Sequence, residues 1–159
     1  DTVSGTGIAG ATLVIASAPE VGLTTDAFGR FRTTFTNAGL VRVHVAASGY
    51  VTERLDLSFP HRGDLQNAEI LLSTVRERIF ELYRSVAAPL LPDQDQWGIW
   101  TPREIFAYVR ARQPAPALAT LTSFVEETYY SASDPDEAVI EQAMTRAADA
   151  KAEAESPPT

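Results

Sequence analysis

A chain of 159 residues, 45% of them apolar and with a net charge of −8, has the length for one domain or two small ones and enough apolar side chains for a core. The charge is uneven: residues 1–74 hold five Lys/Arg against seven Asp/Glu, a balance of −2, and residues 75–159 hold eight against fourteen, a balance of −6. That acidic second half argues against nucleic acid and anionic lipid headgroups, which are held through basic contacts. The absence of cysteine excludes disulfides and thiolate chemistry, and no apolar run approaches the roughly 18–20 residues that span a bilayer, so membrane attachment is expected only through a segment outside this chain.

The first seventy residues carry strand signals. "ATLVIAS" (11–17), "GRFRTTF" (29–35), "LVRVHVAA" (40–47), "YVTERLDLS" (50–58) and "AEILLS" (68–73) are short and rich in β-branched residues. In the third, Val41, Val43 and Val45 alternate with Arg42 and His44; in the fourth, Val51, Leu55 and Leu57 share a face with Glu53. Turn residues punctuate the runs at Gly5 to Gly10, Pro19-Glu20, Asp26 to Gly29, Asn37 to Gly39, Gly49 and Pro60 to Asp64. Strands at this spacing predict an antiparallel β-sandwich.

From Val75 the apolar period changes to that of a helix. Ile79, Leu82, Tyr83, Val86 and Leu90 predict a first helix stopped by Pro92; Ile105, Phe106 and Val109 predict a second; Leu118, Leu121, Val125 and Thr128 predict a third; Val139, Ile140, Ala143, Met144 and Ala147 predict a fourth. The expected architecture is α+β, a sandwich over 1–74, about four helices over 75–152 and a polar tail over 153–159.

Two helix starts have capping chemistry. In "WGIWTPREIF" (97–106), Thr101 is placed to cap, Pro102 sits at the first helical position and Glu104 reaches back, while Trp100 and Ile105 have the spacing of a hydrophobic staple. Trp97 is left over, and is expected to lie as a lid on the helical core in preference to serving as a ligand or partner contact. Asp134-Pro135-Asp136-Glu137 repeats the pattern, with Asp134 as the expected cap.

On "GIAGATLVI" (7–15), "TTDAFGRFRTTF" (24–35), "AASGY" (46–50) and "AEILL" (68–72), the first part resembles the carboxypeptidase regulatory-like domain, a transthyretin-like β-sandwich. The resemblance implies structural roles for Asp26 and Gly29 in a hairpin turn, for Phe31 pointing inward, and for Gly49 turning the chain so that Tyr50 packs back. That family has a strand before the first of these motifs, whereas this chain opens on the turn itself at Asp1, so the strand is expected upstream in a longer protein or is missing. On "VRERIFELYRSV", "TPREIF", "LATLTSFVEETYY" and "AVIEQAMTRAADA", the second part resembles the uncharacterised helical domain that closes many membrane-bound transglutaminase-like proteins. That family has an aromatic-Glu-x-x-Arg-Tyr pattern in its third helix. Here Glu126 and Tyr130 match it, Val125 and Tyr129 replace the aromatic and the arginine, and Glu126 is expected to accept a bond from Arg103 or from a backbone group.

Catalytic and cofactor signals are weak. His44 and His61 have no partner spacing for zinc. Asp134, Asp136 and Glu137 lack the calcium-loop pattern. Glu126 and Glu127 diverge by about 100° on a helix and make no carboxylate pair. "GTGIAG" (5–10) opens a strand where a phosphate loop opens a helix. No catalytic, cofactor-binding or metal residue is therefore expected. The expected function is a non-enzymatic structural or protein-interaction module of a larger membrane-anchored or secreted assembly, with a protein partner and an extracytoplasmic location; the helical resemblance leaves the cytoplasmic side of a membrane protein open. The alternatives are a glycan- or peptidoglycan-binding module using Trp97 with Tyr50 or Tyr83, and a non-catalytic segment of a larger enzyme.

Overall fold

The computed structural model describes residues 1–34, 39–59, 67–93 and 97–155, with the side chains of 18–21 and 59 left aside. His61 and the expected turns at Asn37 and at Pro60 to Asp64 lie outside them. The architecture is α+β, a four-stranded antiparallel sheet and four helices, and its contacts group into two compact units, Asp1–Thr74 and Val75–Thr159.

In the first unit the sheet runs β2-β1-β3-β4, from β1 (Thr12–Ile15), β2 (Ala18–Thr24), β3 (Gly39–Ala46) and β4 (Glu53–Phe59). The register puts Leu13 opposite Val45, Ile15 opposite Val43, and Val43 opposite Leu55, so apolar residues converge on one face. Burial there stabilises by about 1.5–3 kcal/mol per large aliphatic side chain. Leu13, Val43, Val45 and Leu72 form the core, and Ile8, Leu23, Phe31, Tyr50 and Ile70 pack around it. On the opposite face Arg42 pairs with Asp56 at 2.9 Å across β3 and β4.

Three expectations are corrected here. Pro19-Glu20 is no turn: it lies inside β2, and the turn falls at residues 16–17. β2 is an edge strand with a register shift near Ile15, where the missing proline N–H is tolerated. Residues 29–34 form no strand, and among the described residues the backbone of 68–73 is held by single bonds, Thr2 N–H to Leu72 O (3.0 Å) and Val51 N–H to Ser73 O (2.9 Å), beside an isolated Tyr50–Thr74 bridge. Both segments have strand-like side chains. Among the described residues, however, the backbones of 31–34 and 68–71 meet no ladder partner. Between them lies a recess of about 240 Å³, floored by Leu13 and Val45 and walled by Phe31, Ile70 and Leu72.

The second unit consists of α1 (Val75–Ala87), a 3-10 turn (Ala88–Leu90), α2 (Pro102–Arg110), α3 (Pro116–Tyr129) and α4 (Ala138–Glu155). α3 is central, touching α1, α2 and α4. Its Leu118, Leu121 and Val125 are buried at helical spacing, and its Thr122 hydroxyl meets the Tyr83 hydroxyl of α1 at 3.4 Å. α4 presents a narrow stripe of small residues, Ala143, Ala147 and Ala150. Met144, expected on that face, is 54% exposed, because it lies about 100° round the helix from Ala143. α1 stops at Ala87, before Pro92, since the 3-10 turn with Pro89 intervenes. The polar tail is also corrected, for Glu153 to Glu155 belong to α4. No helix among the described residues is long and apolar enough to cross a membrane.

Candidate functional site

In the first unit the residues singled out from the sequence build turns. The Asp26 carboxylate accepts the Phe28 and Arg30 N–H groups at 2.8 and 2.9 Å, and these backbone bonds hold its pKa below the usual value. Gly29 closes the turn at φ 72°, and a Cβ there would sit 2.4 Å from the Ile8 nitrogen and 2.5 Å from the Gly7 Cα. The turn therefore rests on the 7–8 backbone, and only glycine allows that approach. Gly49, at φ 79°, turns the chain into Tyr50, whose hydroxyl donates to the Asp1 carboxylate at 2.8 Å. Phe31 is half-buried against the core.

In the second unit the Thr101 hydroxyl accepts the Glu104 N–H, and the Glu104 carboxylate accepts the Thr101 N–H at 2.8 Å, with Pro102 at the helix start. The Thr101 backbone bond is the main reason that Glu104 titrates below its usual value. Ile105 is buried; the ring contact of Trp100 is with Tyr108, at 5.3 Å. At α4 the cap is Asp136, whose carboxylate accepts the Ala138 N–H at 3.1 Å, and not Asp134. Asp134 is drawn instead to Arg76, which also donates to the Ser131 and Ser133 carbonyls.

Arg103 and Glu126 meet across α2 and α3 at 2.7 Å. They line an open groove with Thr101, Ser123, Glu127 and Tyr130. Four residues chosen from the sequence, Thr101, Arg103, Glu126 and Tyr130, thus come together. The groove offers hydroxyls, one paired carboxylate and, in Glu127, a carboxylate with no hydrogen bond or ion pair among the described residues. Such groups hold a polar or cationic guest by hydrogen bonds and charge.

Tyr130 also ends a row of rings. Trp97 lies 5.3 Å from Phe80, Phe80 lies 5.5 Å from Tyr129, and Tyr129 lies 5.3 Å from Tyr130. Exposure increases along the row: Trp97 and Phe80 are half-buried, Tyr129 is 43% exposed and Tyr130 70%. Tyr83 backs the row at 5.9 Å from Trp97 and is fully buried; its hydroxyl donates to the Pro102 carbonyl at 3.0 Å. Burial pushes its pKa up to about 12, partly offset by the hydrogen bond with Thr122. The Trp97 ring covers Phe80 and Tyr83, and Arg84 stands over it at 5.7 Å.

Sequence reasoning missed Phe80, Tyr129 and Glu127. Tyr129 counted as a departure from a family pattern, and Glu127 was weighed only as a partner for Glu126. For Glu127 the available signal was spacing, because it lies in the last turn of α3 three positions before Tyr130 at the C-cap. Among the described residues no group of three or more His, Cys, Asp or Glu side chains is placed to hold a metal ion. Searches against known protein families, curated proteins and solved structures returned no match.

Proposed function

We propose that the chain is a structural or protein-interaction module, without catalysis of its own, in a larger membrane-anchored or secreted extracytoplasmic assembly. The observation that carries this reading is the ring row. An aromatic strip that emerges from a helical core and ends on exposed Tyr130 beside a polar groove has the makeup of an interface centre, since Tyr and Trp combine large contact area with few rotatable bonds. The glycan reading relies on Trp97 with Tyr50 or Tyr83 as stacking faces. Tyr83 is fully buried, and the rings around Trp97 are tilted by 39° and 51°. This favours a protein partner.

For the first unit we keep the transthyretin-like sandwich as the finer reading, and for the second the helical domain of transglutaminase-like proteins. A further strand laid along 68–71 over the recess would supply the sandwich's second layer, and this is supported by the backbones of 31–34 and 68–71, which meet no ladder partner among the described residues.

The test is co-isolation of the full-length protein, gently solubilised from its own cells. The reading expects one discrete partner in stoichiometric amount, lost on Tyr129→Ala/Tyr130→Ala replacement while the helical circular dichroism is unchanged. A partner retained by that variant, or a tryptophan fluorescence shift on titration with peptidoglycan fragments, would contradict it.

A further inference from the structure

The second unit dresses its aromatic faces with arginine. Arg84 stands over Trp97 at 5.7 Å, Arg110 over Phe106 at 5.7 Å, Arg112 over Tyr108 at 3.3 Å and Arg146 over Phe124 at 4.3 Å. The remaining guanidinium groups are engaged elsewhere: Arg76 with Asp134 and two carbonyls, Arg78 with Glu81, and Arg103 with Glu126. Among the described residues of this unit, five rings carry no such cover, and of these Phe80, Tyr83 and Trp100 are half-buried or buried, which leaves Tyr129 and Tyr130. They are exposed, and among the described residues no guanidinium lies over either ring. Tyr130 shares its groove with Glu127, whose carboxylate has no internal partner among the described residues.

We propose that this groove receives an arginine side chain from the protein partner, stacked on Tyr130 and paired with Glu127. The inference rests on the protein-interaction reading and names the chemistry of its contact. Three observations converge. The unit is acidic overall, eight Lys/Arg against fourteen Asp/Glu, which attracts a basic segment. The exposed ring at the C-cap of α3 and, three positions earlier in its last turn, a carboxylate without a partner among the described residues offer a guanidinium a π face and a bidentate acceptor at once. Arg103 does not repel the guest strongly, because Glu126 already neutralises it at 2.7 Å. Arginine fits better than lysine because only the planar guanidinium stacks and forks together.

The test is a titration of the full chain, ring-labelled at tyrosine, with the octapeptide Gly-Ser-Arg-Gly-Ser-Arg-Gly-Ser, followed by NMR. Matched peptides carry lysine or citrulline in place of arginine. The Tyr130 signal, assigned with Tyr130→Phe, is expected to shift with the arginine peptide, and the affinity is expected to fall about threefold or more with lysine and to vanish with citrulline. Glu127→Gln is expected to weaken arginine binding about threefold to fivefold, and high salt to weaken it further. Equal binding of the citrulline peptide, no shift at Tyr130, or no effect of Glu127→Gln would overturn the proposal. The wider reading fails separately, by retention of the partner in the tyrosine double variant; a partner lost there while the arginine peptide leaves Tyr130 unmoved sinks only the arginine assignment.

Discussion

Replacing Glu153 by alanine should destabilise the helical unit from a position that looks like tail. α3 begins at Pro116 behind Ala115, which has no side chain to cap it. Its free N–H groups are met from α4 instead. The Glu153 carboxylate accepts Ala117 N–H at 3.2 and 3.1 Å and Leu118 N–H at 3.3 Å. Loss of a helix cap costs about 0.5–2 kcal/mol, and loss of a charge at a helix N-terminus about 0.3–1 kcal/mol. The site is part-buried and the two effects overlap, so about 1.5 kcal/mol is the expected loss. At about 2.1 cal/mol/K per residue, a unit of about 85 residues unfolds with about 0.18 kcal/mol/K, which converts the loss into a fall of about 8 °C in Tm. Tryptophan fluorescence reports it directly, because Trp97 and Trp100 both belong to this unit. Glu153→Gln keeps an acceptor and should lose about half as much; Glu155→Ala, two residues on and exposed, should stay within about 0.5 kcal/mol. If Glu153→Ala melts with Glu155→Ala, the cross-helix cap contributes nothing and the reasoning is wrong.

Three further outcomes are expected. Gly29→Ala should cost more than about 3 kcal/mol in urea unfolding, since it adds a backbone clash to a left-handed φ, whereas Gly10→Ala, at φ 73° with nothing within 4 Å, should cost only the conformational part of about 1–2 kcal/mol; equal losses would discount the Gly7–Gly29 approach. Glu104 has a folded pKa below its usual 4.5, so its contribution is complete above that value and is lost as the pH falls through the folded pKa. The urea-midpoint gap between wild type and Glu104→Gln should therefore be widest near neutrality and close as the medium turns acid, and a gap independent of pH would refute the capping box as its source. One tyrosine should ionise only as the pH reaches about 12, seen as late phenolate absorbance that Tyr83→Phe removes; persistence of that phase in the variant would misassign it.

What was legible in the sequence was local. Thr101 and Glu104 sit three apart, and the geometry of one helical turn is enough to join them. The alternation of Val41, Val43 and Val45 fixed the buried face of β3 without its neighbours. The Arg103–Glu126 pair was legible only as one option among several, since it spans two helices. Other features depended on partners far along the chain. Residues 29–34 and 68–73 have strand-forming side chains, but a strand needs a ladder, and pairing is not written in either segment alone. Pro19 reads as a breaker until β2 is known to lie at the edge. The role of Glu153 was invisible because its acceptor function serves a helix 36 residues earlier. Likewise, the row from Trp97 to Tyr130 gathers rings from α1, the 97–100 segment and the end of α3, and no single stretch shows it.

Site-specific photo-cross-linking in the native cell tests the interaction reading most directly, with a photoreactive phenylalanine analogue at Tyr130 and, as control, at exposed Asp149. The account predicts one discrete protein adduct from position 130 and none from position 149. Adducts of the same pattern from both positions, or none from position 130, would contradict it.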